Sequence, residues 1–450
     1  METPPKKSLA ILGGGPAGLA AGYFAQKQGQ DFTIFEKKNR VGGNCITLQH
    51  GDFLFDSGAH RLHHKDPEIT DEIKSLLGQR LQKVEAPSQI YDRGRFIDFP
   101  LSPLNLLISL GIKDSFIAAC DLISARMHKR PKDQNFETFA IHTYGRTIAE
   151  RFLLNYSQKL WGAKAHELTL EIAGKRLKGL DLRTFITEAF LGKRAKTEHL
   201  ERSSFFYPQG GFGTIVAALA QYCKPQNIHL NSAVTRIVHQ DNIIRGIEVN
   251  NRDYIDLKDH LVINTLPVSN FISMLDPQAP QNIIRTAQSL EYRHMILVCM
   301  FLNVPSITKN ATIYFPGPDY AFTRAYEPKN RSDAMAPKDK TALVIEIPCH
   351  KNDQTWAQSD AALIKQVIDQ VIQWGWIQPQ DIMDTTTYRF EYAYPILKIA
   401  NENKVKNIMD YLSHIRNLKI SGRNGKYLYA WFHDMMRFAK DIIETCQETT

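Results

Sequence analysis

The stretch LAILGGGPAG, residues 9–18, joins a short apolar run to a glycine-rich turn, and an alanine-rich helical pattern follows it to about Gln28. The apolar run predicts a buried strand, and the turn has the spacing G-x-G-x-x-G. Gly13 allows the chain to turn tightly, Gly15 allows the backbone to approach a pyrophosphate, and Gly18 allows the helix to pack closely on the sheet. The pyrophosphate would lie at the helix N-terminus, where free N–H groups favour an anion.

A second predicted strand, Asp31 to Phe35, ends at Glu36. An acidic residue at this position can accept hydrogen bonds from an adenosine ribose. Strand, glycine turn, helix, strand and acid together indicate a dinucleotide-binding unit. A glycine-rich turn in another kind of α/β protein is the alternative.

The residues that follow, EKKNRVGGN at 36–44, indicate which dinucleotide binds. They resemble the E-x-x-x-R-x-G-G signature of FAD enzymes in the glutathione-reductase-like and amine-oxidase-like superfamily. The resemblance implies that Arg40, Gly42 and Gly43 approach the FAD phosphates and the flavin, and NAD enzymes lack this second segment. We therefore expect FAD, bound noncovalently because no cysteine or histidine lies in a recognised linkage motif.

The composition is ordinary for a soluble globular protein, since 43% of the 450 residues are hydrophobic and 23% are charged. A net charge of +8 is mild for this length and long basic runs are absent, so nucleic-acid binding is not expected, although the charge suits an anionic ligand. The six cysteines are scattered without a C-x-x-C pair. This pattern argues against a disulfide framework and a zinc site, and it favours a reducing, cytoplasmic environment.

Neither a signal peptide nor a transmembrane helix is expected. The N-terminal sequence METPPKKS has no apolar core, and no run of about 18 apolar residues occurs. The closest stretch, Leu104 to Ala125, is interrupted by Lys113, Asp114 and Asp121. It predicts a pair of helices with one buried face, and a peripheral contact with a membrane is the alternative.

Three histidines, His60, His63 and His64, follow a predicted strand that contains Phe53 and Phe55. No carboxylate or cysteine is spaced to complete a metal site with them, so no metal is expected. A histidine beside a flavin and a plain surface cluster are the other interpretations. The stretch resembles the glycine–histidine segment that lies against the isoalloxazine ring in UDP-galactopyranose mutases, where His60 and His63 are the matching positions.

Residues 101–191 are predicted to be mainly helical, because apolar residues recur at helical spacing and glycine and proline are sparse. Within them, YSQKLWG at 156–162, a Glu-Leu pair and Arg176 are similar to a pattern in relatives of UDP-galactopyranose mutase and protoporphyrinogen oxidase. An aromatic ring with nearby cations suits a flat anionic ligand, which makes Trp161 a candidate for substrate binding. The alternative is that Trp161 is a core residue and Lys159 is a solvated one.

Two later segments return the chain to the cofactor domain. FYPQGGFG at 206–213 is similar to a Tyr-Pro-x-Gly-Gly-x-Gly stretch of amine-oxidase-like FAD enzymes. The strands predicted between 228 and 267 resemble the β-meander over the adenine in these enzymes, and Val234 matches the position that contacts adenine through its backbone. Near the C-terminus GRNG follows a strand, and the resemblance implies that Arg423 binds the FAD pyrophosphate.

The residues after this GRNG segment depart from the pattern of the relatives. The aspartate that relatives carry four residues after the position of Tyr429 is replaced by His433, and Asp434 follows it. The departure concerns the contacts to the flavin pyrimidine edge and the ribityl chain, for which Asp434 is the expected replacement.

A strand-rich region, residues 290–350, predicts the sheet beneath the substrate. Within it FTRAYEPKNRS at 322–332 resembles a segment of the same relatives in which the arginine faces the substrate cavity. Arg324 is therefore expected to bind a carboxylate or phosphate, and a structural ion pair between Arg324 and Glu327 is the alternative. The YAYP stretch that begins at Tyr392 likewise resembles a segment of these relatives that lies near the flavin.

These segments, in this order over nearly the whole chain, resemble the superfamily of amine oxidases, protoporphyrinogen oxidases and UDP-galactopyranose mutases. The implied fold is α/β, with a Rossmann-like FAD-binding domain of the glutathione-reductase-like kind and a substrate domain that contains a mixed sheet and a helical insert. The predicted FAD domain comprises 1–65, 204–275 and 415–450, the sheet domain comprises 66–100 and 276–414, and the helical insert comprises 101–203.

The motifs and the resemblance give one set of candidate residues for each role. The cofactor set is Gly13, Gly15, Pro16, Ala17, Gly18, Glu36, Lys37, Arg40, Gly42, Gly43, Asn44, His60, Val234, Gly422, Arg423, Asp434 and Met435. The substrate set is His63, Trp161, Arg324, Tyr392 and Tyr429, and the catalytic set is His60, Arg324 and Tyr392.

Three functions are compatible with the sequence. We expect an oxidoreductase in which a small, anionic organic substrate gives a hydride to flavin N5. The first alternative is a mutase-like enzyme without net redox change, in which reduced flavin N5 attacks the anomeric carbon of a nucleotide sugar and displaces UDP. The second alternative is a flavin-binding protein without turnover. The substrate, the electron acceptor and the oligomeric state are left open.

Overall fold

The computed structural model describes residues 7–99, 103–128, 134–172 and 204–448, so Arg176 lies outside the described residues. The strands within these ranges are β1 Ser8–Leu12, β2 Phe32–Phe35, β3 Thr47–His50, β4 Phe53–Asp56, β5 Leu81–Val84, β6 Ser88–Asp92, β7 Arg95–Phe99, β8 Phe205–Pro208, β9 Ile228–His229, β10 Val234–Gln240, β11 Ile243–Val249, β12 Asp253–Asp256, β13 His260–Asn264, β14 Leu275–Asp276, β15 Tyr292–Leu302, β16 Thr312–Tyr314, β17 Arg324–Tyr326, β18 Thr341–Cys349, β19 Ile382–Pro395 and β20 Leu418–Ile420. The α-helices of at least four residues within these ranges are α1 Pro16–Lys27, α2 Pro67–Leu77, α3 Pro103–Met127, α4 Phe136–Tyr144, α5 Asn155–Trp161, α6 Gly213–Cys223, α7 Val268–Ser273, α8 Gln281–Gln288, α9 Gln354–Ala357, α10 Asp360–Gln373, α11 Ile399–Ser413 and α12 Phe432–Glu448.

Strand β1 is the central strand of a parallel sheet with the order β20-β13-β1-β2-β9. Its side chains alternate between two cores, which explains why the strand is a continuous apolar run. Leu9 and Ile11 pack with helices α1, α6 and α12, whereas Ala10 and Leu12 pack on the side of the β-meander and α7. Because the strands are parallel, the glycine turn after β1 and Glu36 after β2 lie at the same edge of the sheet.

The predicted β-meander is a four-stranded sheet with the order β12-β11-β10-β14. It is joined to the edge of the parallel sheet by the loop before β10, in which the amide of Ser232 donates to the carbonyl of Glu36 at 2.8 Å. The N-terminal end of β10, which begins at Val234, is thereby held next to the end of β2.

The predicted floor of the substrate site is a seven-stranded sheet with the order β19-β15-β18-β17-β16-β6-β7. All residues of β15 are buried, and alternate residues again serve two cores. Ile296 and Val298 pack with helix α10, whereas Leu297 and Phe301 pack with β4. Helix α10 therefore covers one face of this sheet. The hairpin β3–β4, which follows the cofactor loop, packs against one end of the other face.

The helical block begins with α3, which bends at Gly111 (φ +75°), so the predicted pair of helices is found in the described residues. A helical turn, Arg146–Ile148, and a π-helical turn, Ala149–Leu154, lead into α5. Arg151 of the π-helical turn forms an ion pair at 2.7 Å with Asp92 of β6, which links the helical block to the hairpin β6–β7.

The division of the chain into three domains stays a prediction, and one element bears on its bounds. The strands of the parallel sheet all come from the segments assigned to the FAD domain. Helix α2 was assigned to the sheet domain, yet Ile69, Ile73 and Leu77 share the core of α1, α6 and α12. Helix α2 therefore packs with the helices that cover one face of the parallel sheet.

Candidate functional site

The glycine turn has the geometry that a bound pyrophosphate requires. Gly13 has a positive φ of +103°, and a Cβ on Gly18 would overlap the carbonyl oxygen of Gly13. The space beside Gly15 is open, because the nearest protein atom to a Cβ built there is the Cα of Gly43 at 3.9 Å. The turn therefore leaves a cradle at the N-terminal end of α1, next to Pro16 and Ala17, that a side chain at residue 15 would fill.

Glu36 is buried and joins the glycine turn to the chain after β2. Its carboxylate accepts hydrogen bonds from the amides of Gly14 at 2.8 Å and Lys38 at 2.9 Å. Each carboxylate oxygen keeps a further lone pair, which can accept from a ribose hydroxyl. Gly14 and Lys38 were not singled out in the sequence, although a Cβ on Gly14 would lie only 3.0 Å from the Cβ of Glu36.

The Arg-x-Gly-Gly segment docks onto this turn through its backbone. The amide of Gly42 donates to the carbonyl of Gly14 at 2.8 Å, and a Cβ on Gly43 would lie 3.2 Å from the Cα of Gly15. The guanidinium of Arg40 donates to the carbonyl of Gly43 at 3.1 Å. Only glycines allow the two loops to approach this closely.

Two neighbours of this segment have different surroundings. Lys37 is exposed, so its place in the cofactor set has no buried partner to support it. The side-chain amide of Asn44 donates to the carbonyl of Glu391 at 2.6 Å. This bond links the cofactor loop to strand β19 at the residue before Tyr392.

The C-terminal segment closes the cradle from the other side. Gly422 has φ +80°, and a Cβ there would lie 3.0 Å from the Cβ of Ala17. The guanidinium of Arg423 donates to the carbonyls of Ala430 at 2.6 and 2.9 Å and of Ala393 at 3.0 Å. Arg423 thus joins β19 to the segment before α12, and its direct contact with a pyrophosphate stays a prediction.

The carboxylate of Asp434, the third residue of α12, accepts a hydrogen bond at 2.9 Å from the amide of Trp431, the residue before the helix, as in one half of a capping box. His433, which replaces the family aspartate, is buried, and so is Met435. The capping role is the one that the structure describes for Asp434, and its predicted contact with the flavin remains a prediction.

A second group of residues surrounds His60. Arg324 and Glu346 are directly opposite each other in β17 and β18, and Nε of Arg324 lies 2.5 Å from Oε2 of Glu346. Both residues are buried, so the pair is an internal one. The other carboxylate oxygen of Glu346 accepts from the amide of Ala59 at 2.6 Å, which holds the turn that carries His60.

The alternative partner proposed for Arg324 is wrong. Glu327 accepts hydrogen bonds from the amide of Thr308 and the hydroxyl of Thr341, at 2.9 and 2.6 Å, and does not pair with Arg324. Strand β17 ends at Tyr326, before Glu327, whereas Glu346 lies directly opposite Arg324 in β18. Glu346, which takes the place of Glu327 in the pair, was not identified from the sequence.

The imidazole of His60 is held in a neutral state by its surroundings. Burial lowers the pKa of His60 to about 3, and the charges of Arg423, Arg331 and Arg324 act in the same direction. Its Nε2 lies 3.2 Å from the hydroxyl of Ser57, and its ring stacks on Phe212 at 5.2 Å. A neutral imidazole can donate from one nitrogen and accept at the other.

Aromatic rings surround the cations of this group. The ring of Trp161 lies 5.7 Å from Tyr394 and 5.2 Å from Tyr429, and the guanidinium of Arg423 lies over the rings of both tyrosines, at 5.1 and 5.6 Å. Nη2 of Arg324 is 3.3 Å from the hydroxyl of Tyr394. Trp161, Arg324 and Tyr429, three of the predicted substrate residues, are therefore brought together.

The two remaining substrate candidates lie beside this cluster. His63 packs against Trp431 at 5.1 Å, and Trp431 is 6.5 Å from Tyr429. Tyr392 has an unusual φ of +56°, and its carbonyl accepts from Asn424 at 2.9 Å. Its ring lies 5.0 Å from that of Tyr292 and 5.8 Å from that of His294.

Lys159 is neither a solvated residue nor a member of the cation cluster. Its ammonium donates to the carbonyls of Phe315, Gly317, Tyr320 and Phe322, at distances between 2.6 and 3.1 Å. These carbonyls belong to the loop between β16 and β17. Lys159 therefore fixes the loop that leads into Arg324, a role that nothing in the local sequence indicates.

Residues 16–389 match the family of flavin-containing amine oxidoreductases. The chain belongs to this family. The chain is 22% identical over 258 residues to a mitochondrial protoporphyrinogen oxidase of Nicotiana tabacum, an alignment that covers 51% of this chain and 50% of the plant protein. The chain spans half or less of the length of the plant protoporphyrinogen oxidases that it matches first.

Solved structures confirm the predicted α/β fold of the chain. A reduced UDP-galactopyranose mutase superposes with a TM-score of 0.81 at 19% identity, covering 98% of this chain and 96% of that one. A putative protoporphyrinogen oxidase from Exiguobacterium sp. 255-15 superposes with a TM-score of 0.78 at 18% identity, covering 99% of both chains. At these identities the likeness concerns the fold alone.

FAD is the cofactor of this chain, and the residues described above fit it. The open space at Gly15, the carboxylate of Glu36 and the glycine contacts of the loops match the pyrophosphate and the ribose. The buried side-chain oxygens of Ser421 and Asn424 have no hydrogen-bond partner among the described residues, which is consistent with polar groups that face a ligand. No described helix is long and apolar enough to cross a bilayer.

Proposed function

We propose that the protein is an FAD-dependent oxidoreductase that removes a hydride from a small organic substrate. The substrate would lie among Trp161, Tyr394 and Tyr429, beside the residues that hold the cofactor. When bound, the flavin supplies a hydride acceptor at N5, and a separate electron acceptor restores it. The family match supports a flavin oxidoreductase, and the hydride step and the substrate are our proposal.

The observation that carries the proposal is the cluster of rings and cations on the cofactor side of the seven-stranded sheet. Trp161 and Tyr394 come from two separate parts of the chain, yet their rings lie 5.7 Å apart next to Arg423. Rings of this kind exclude water from a site and provide flat surfaces for an organic substrate. The cations beside them favour a substrate with a negatively charged group.

Each side chain of the cluster has a defined task in this proposal. Because Glu346 compensates the charge of Arg324, Arg324 binds substrate by directed hydrogen bonds more than by net charge. Its described bonds use Nε and Nη2, so the Nη1 group is the donor assigned to the substrate. His60 stays neutral and accepts or donates a hydrogen bond near the reacting atoms, and Tyr392 lines the cofactor side.

The test is anaerobic reduction of the yellow protein by panels of amines, reduced cyclic tetrapyrroles and polyenes. Loss of the flavin absorbance with one class, and its return on addition of an acceptor, would support the proposal. If no class reduces the flavin although dithionite does, the oxidoreductase proposal fails and a flavin-binding protein without turnover is favoured.

A mutase-like activity on a nucleotide sugar is the second candidate. It is favoured by the edge-to-face rings of Trp161 and Tyr429 and by the guanidinium of Arg423 over Tyr429, which suit the uracil and diphosphate of a nucleotide as well as they suit other flat anions. Titration with UDP separates the two candidates. Tight binding to the reduced protein and not to the oxidised one would favour the mutase-like activity, and equal absence of binding in both states would exclude it.

A further inference from the structure

Glu346 is a fully buried carboxylate that is bonded to two separate segments of the chain. It belongs to β18, is 0% exposed, and lies directly opposite Arg324 of β17. Its Oε2 lies 2.5 Å from Nε of Arg324, whereas its Oε1 accepts a hydrogen bond from the amide of Ala59 at 2.6 Å. Because the two oxygens of a carboxylate have a fixed separation, the groups bonded to them are held in a fixed relation to each other.

The amide of Ala59 belongs to the turn that carries His60. The amide of His60 donates to the carbonyl of Gly58 at 2.7 Å, which closes a three-residue turn with Ala59 at its centre. A Cβ on Gly58 would lie 3.4 Å from Oε1 of Glu346 and 3.7 Å from Nε2 of His60. The carboxylate and the imidazole therefore lie beside the same glycine, and a displacement of the carboxylate would move the residue that precedes His60.

The other side of the imidazole is bonded to the cofactor loop. Nε2 of His60 lies 3.2 Å from the hydroxyl of Ser57, and this hydroxyl donates to the carbonyl of Asn44 at 2.8 Å. Asn44 directly follows Gly43, which packs against the glycine turn of the cradle. His60 therefore lies between Glu346 and the loop that holds the cofactor, in a hydrogen-bonded network that fixes the orientation of its members.

We propose that Glu346 is a positioning residue that sets the orientation of His60 toward the bound flavin. It acts through the amide of Ala59, and because the same carboxylate also orients the guanidinium of Arg324, one group places both the histidine and the substrate cation. The inference rests on the proposed function, which places His60 near the reacting atoms. A supporting residue of this kind determines how precisely a site is held.

The test is the two-electron midpoint potential of FAD bound to the full-length protein, measured by anaerobic reductive titration against a reference dye. This potential depends on hydrogen bonds and charges near the flavin ring, so it reports the position of the imidazole, and a merely structural role of Glu346 would leave it unchanged. Glu346→Gln should change the equilibrium constant of the couple about tenfold, a shift of about 30 mV. His60→Gln should shift the potential by at least as much, and the double variant should show no further shift, because Glu346 acts through His60.

Glu346→Asp is the second variant, and it decides the question if Glu346→Gln does not retain FAD. It keeps a negative charge opposite Arg324, but its shorter side chain does not reach both partners, so it should also shift the potential. Glu327→Gln is the matched control. Glu327 is equally buried, and its carboxylate accepts from the amide of Thr308 and the hydroxyl of Thr341. This control should lower the melting temperature without shifting the potential.

An unshifted potential in the Glu346 variants would overturn the inference. Additive shifts in the double variant would also overturn it, because they would show that Glu346 acts on the flavin without His60. A shift of equal size in Glu327→Gln would show that loss of stability alone moves the potential, and would overturn it as well. These outcomes are separate from that of the substrate panel, whose failure to reduce the flavin would contradict the proposed oxidoreductase and leave the potentials as they are.

Discussion

At the scale of single residues, Gly15 is a position at which the bound cofactor, and not the backbone conformation, is expected to require glycine. Its φ of −77° and ψ of −176° belong to an extended conformation that any residue adopts. A Cβ at this position would also be 3.9 Å from the nearest protein atom. We therefore propose that glycine is needed at residue 15 for the space beyond it, where the pyrophosphate is expected to bind.

We expect Gly15→Val to abolish FAD binding and to leave a folded chain. The branched side chain would occupy the pyrophosphate space without straining the backbone. The measurement is the flavin-to-protein ratio together with the melting temperature. Gly15→Ala, with a smaller side chain, should retain more flavin, and a full complement of FAD in the valine variant would contradict the assigned phosphate site.

The buried pair of Arg324 and Glu346 predicts different results for its two members. Glu346→Gln should lower the free energy of unfolding by about 3–5 kcal/mol, because it leaves the charge of Arg324 buried without its partner. Arg324→Lys should also lower stability, and in addition should raise KM with little change in kcat, because lysine lacks the planar fork.

Melting temperature, flavin occupancy and KM of both variants decide between the roles. Flavin occupancy should stay intact in each. Lower stability with unaltered KM in Arg324→Lys would overturn its role in substrate binding, and Arg324 would then be a structural residue.

His60 gives stability a dependence on pH on the acid side. Its pKa is about 3 in the folded protein and about 6.5 when unfolded. Between these values the unfolded chain binds more protons, so stability is fully present above about pH 6.5 and falls as the pH is lowered toward 3.

We therefore expect His60→Gln to flatten the stability curve over this interval. The measurement is denaturant unfolding at several pH values between 4 and 7 on both proteins, for which the sign follows from the depressed pKa. Parallel curves for the two proteins would show that the imidazole is solvated.

At the scale of elements, Lys159 is predicted to hold the loop between β16 and β17. Lys159→Met removes a charged donor from four carbonyls, and hydrogen bonds to charged groups contribute about 1.5–3 kcal/mol each. We expect a lower melting temperature and a higher KM, because the loop leads into Arg324. Measurements of thermal unfolding and of KM on the same preparation test both effects.

Lys329 provides a matched control for this variant. Its ammonium likewise donates hydrogen bonds to four backbone carbonyls, those of Pro305, Pro337, Lys338 and Lys340. Lys329→Met should lower stability without changing KM. An unchanged KM in both variants would limit Lys159 to a purely structural role.

At the scale of the whole molecule, one noncovalent FAD is expected for each chain, held by loops from three distant segments. Acid or heat should release the intact cofactor into the supernatant, because unfolding separates these loops. Mass spectrometry of the released flavin is the measurement. Release of FMN, or flavin that stays with the precipitated chain, would contradict noncovalent FAD.

The parts of this protein that the sequence determined are those in which neighbours along the chain are also neighbours in space. The turn at Gly13 to Gly18, the helix Pro16–Lys27 and the strand Phe32–Phe35 follow from local patterns, and the structure has them at the predicted places. Backbone sterics and hydrophobic periodicity act over a few residues, so a sequence displays them directly.

Only the tertiary structure decided which side chains pair. The amide of Ala59 donates a hydrogen bond to Glu346, which is 287 residues away in the sequence. The ammonium of Lys159 donates to the carbonyls of a loop more than 150 residues away. A buried charge must have a partner, but the sequence contains many residues of suitable charge and does not say which one the packing of sheets brings near. That choice replaced Glu327 by Glu346 as the partner of Arg324, because strand pairing places position 346 directly opposite position 324.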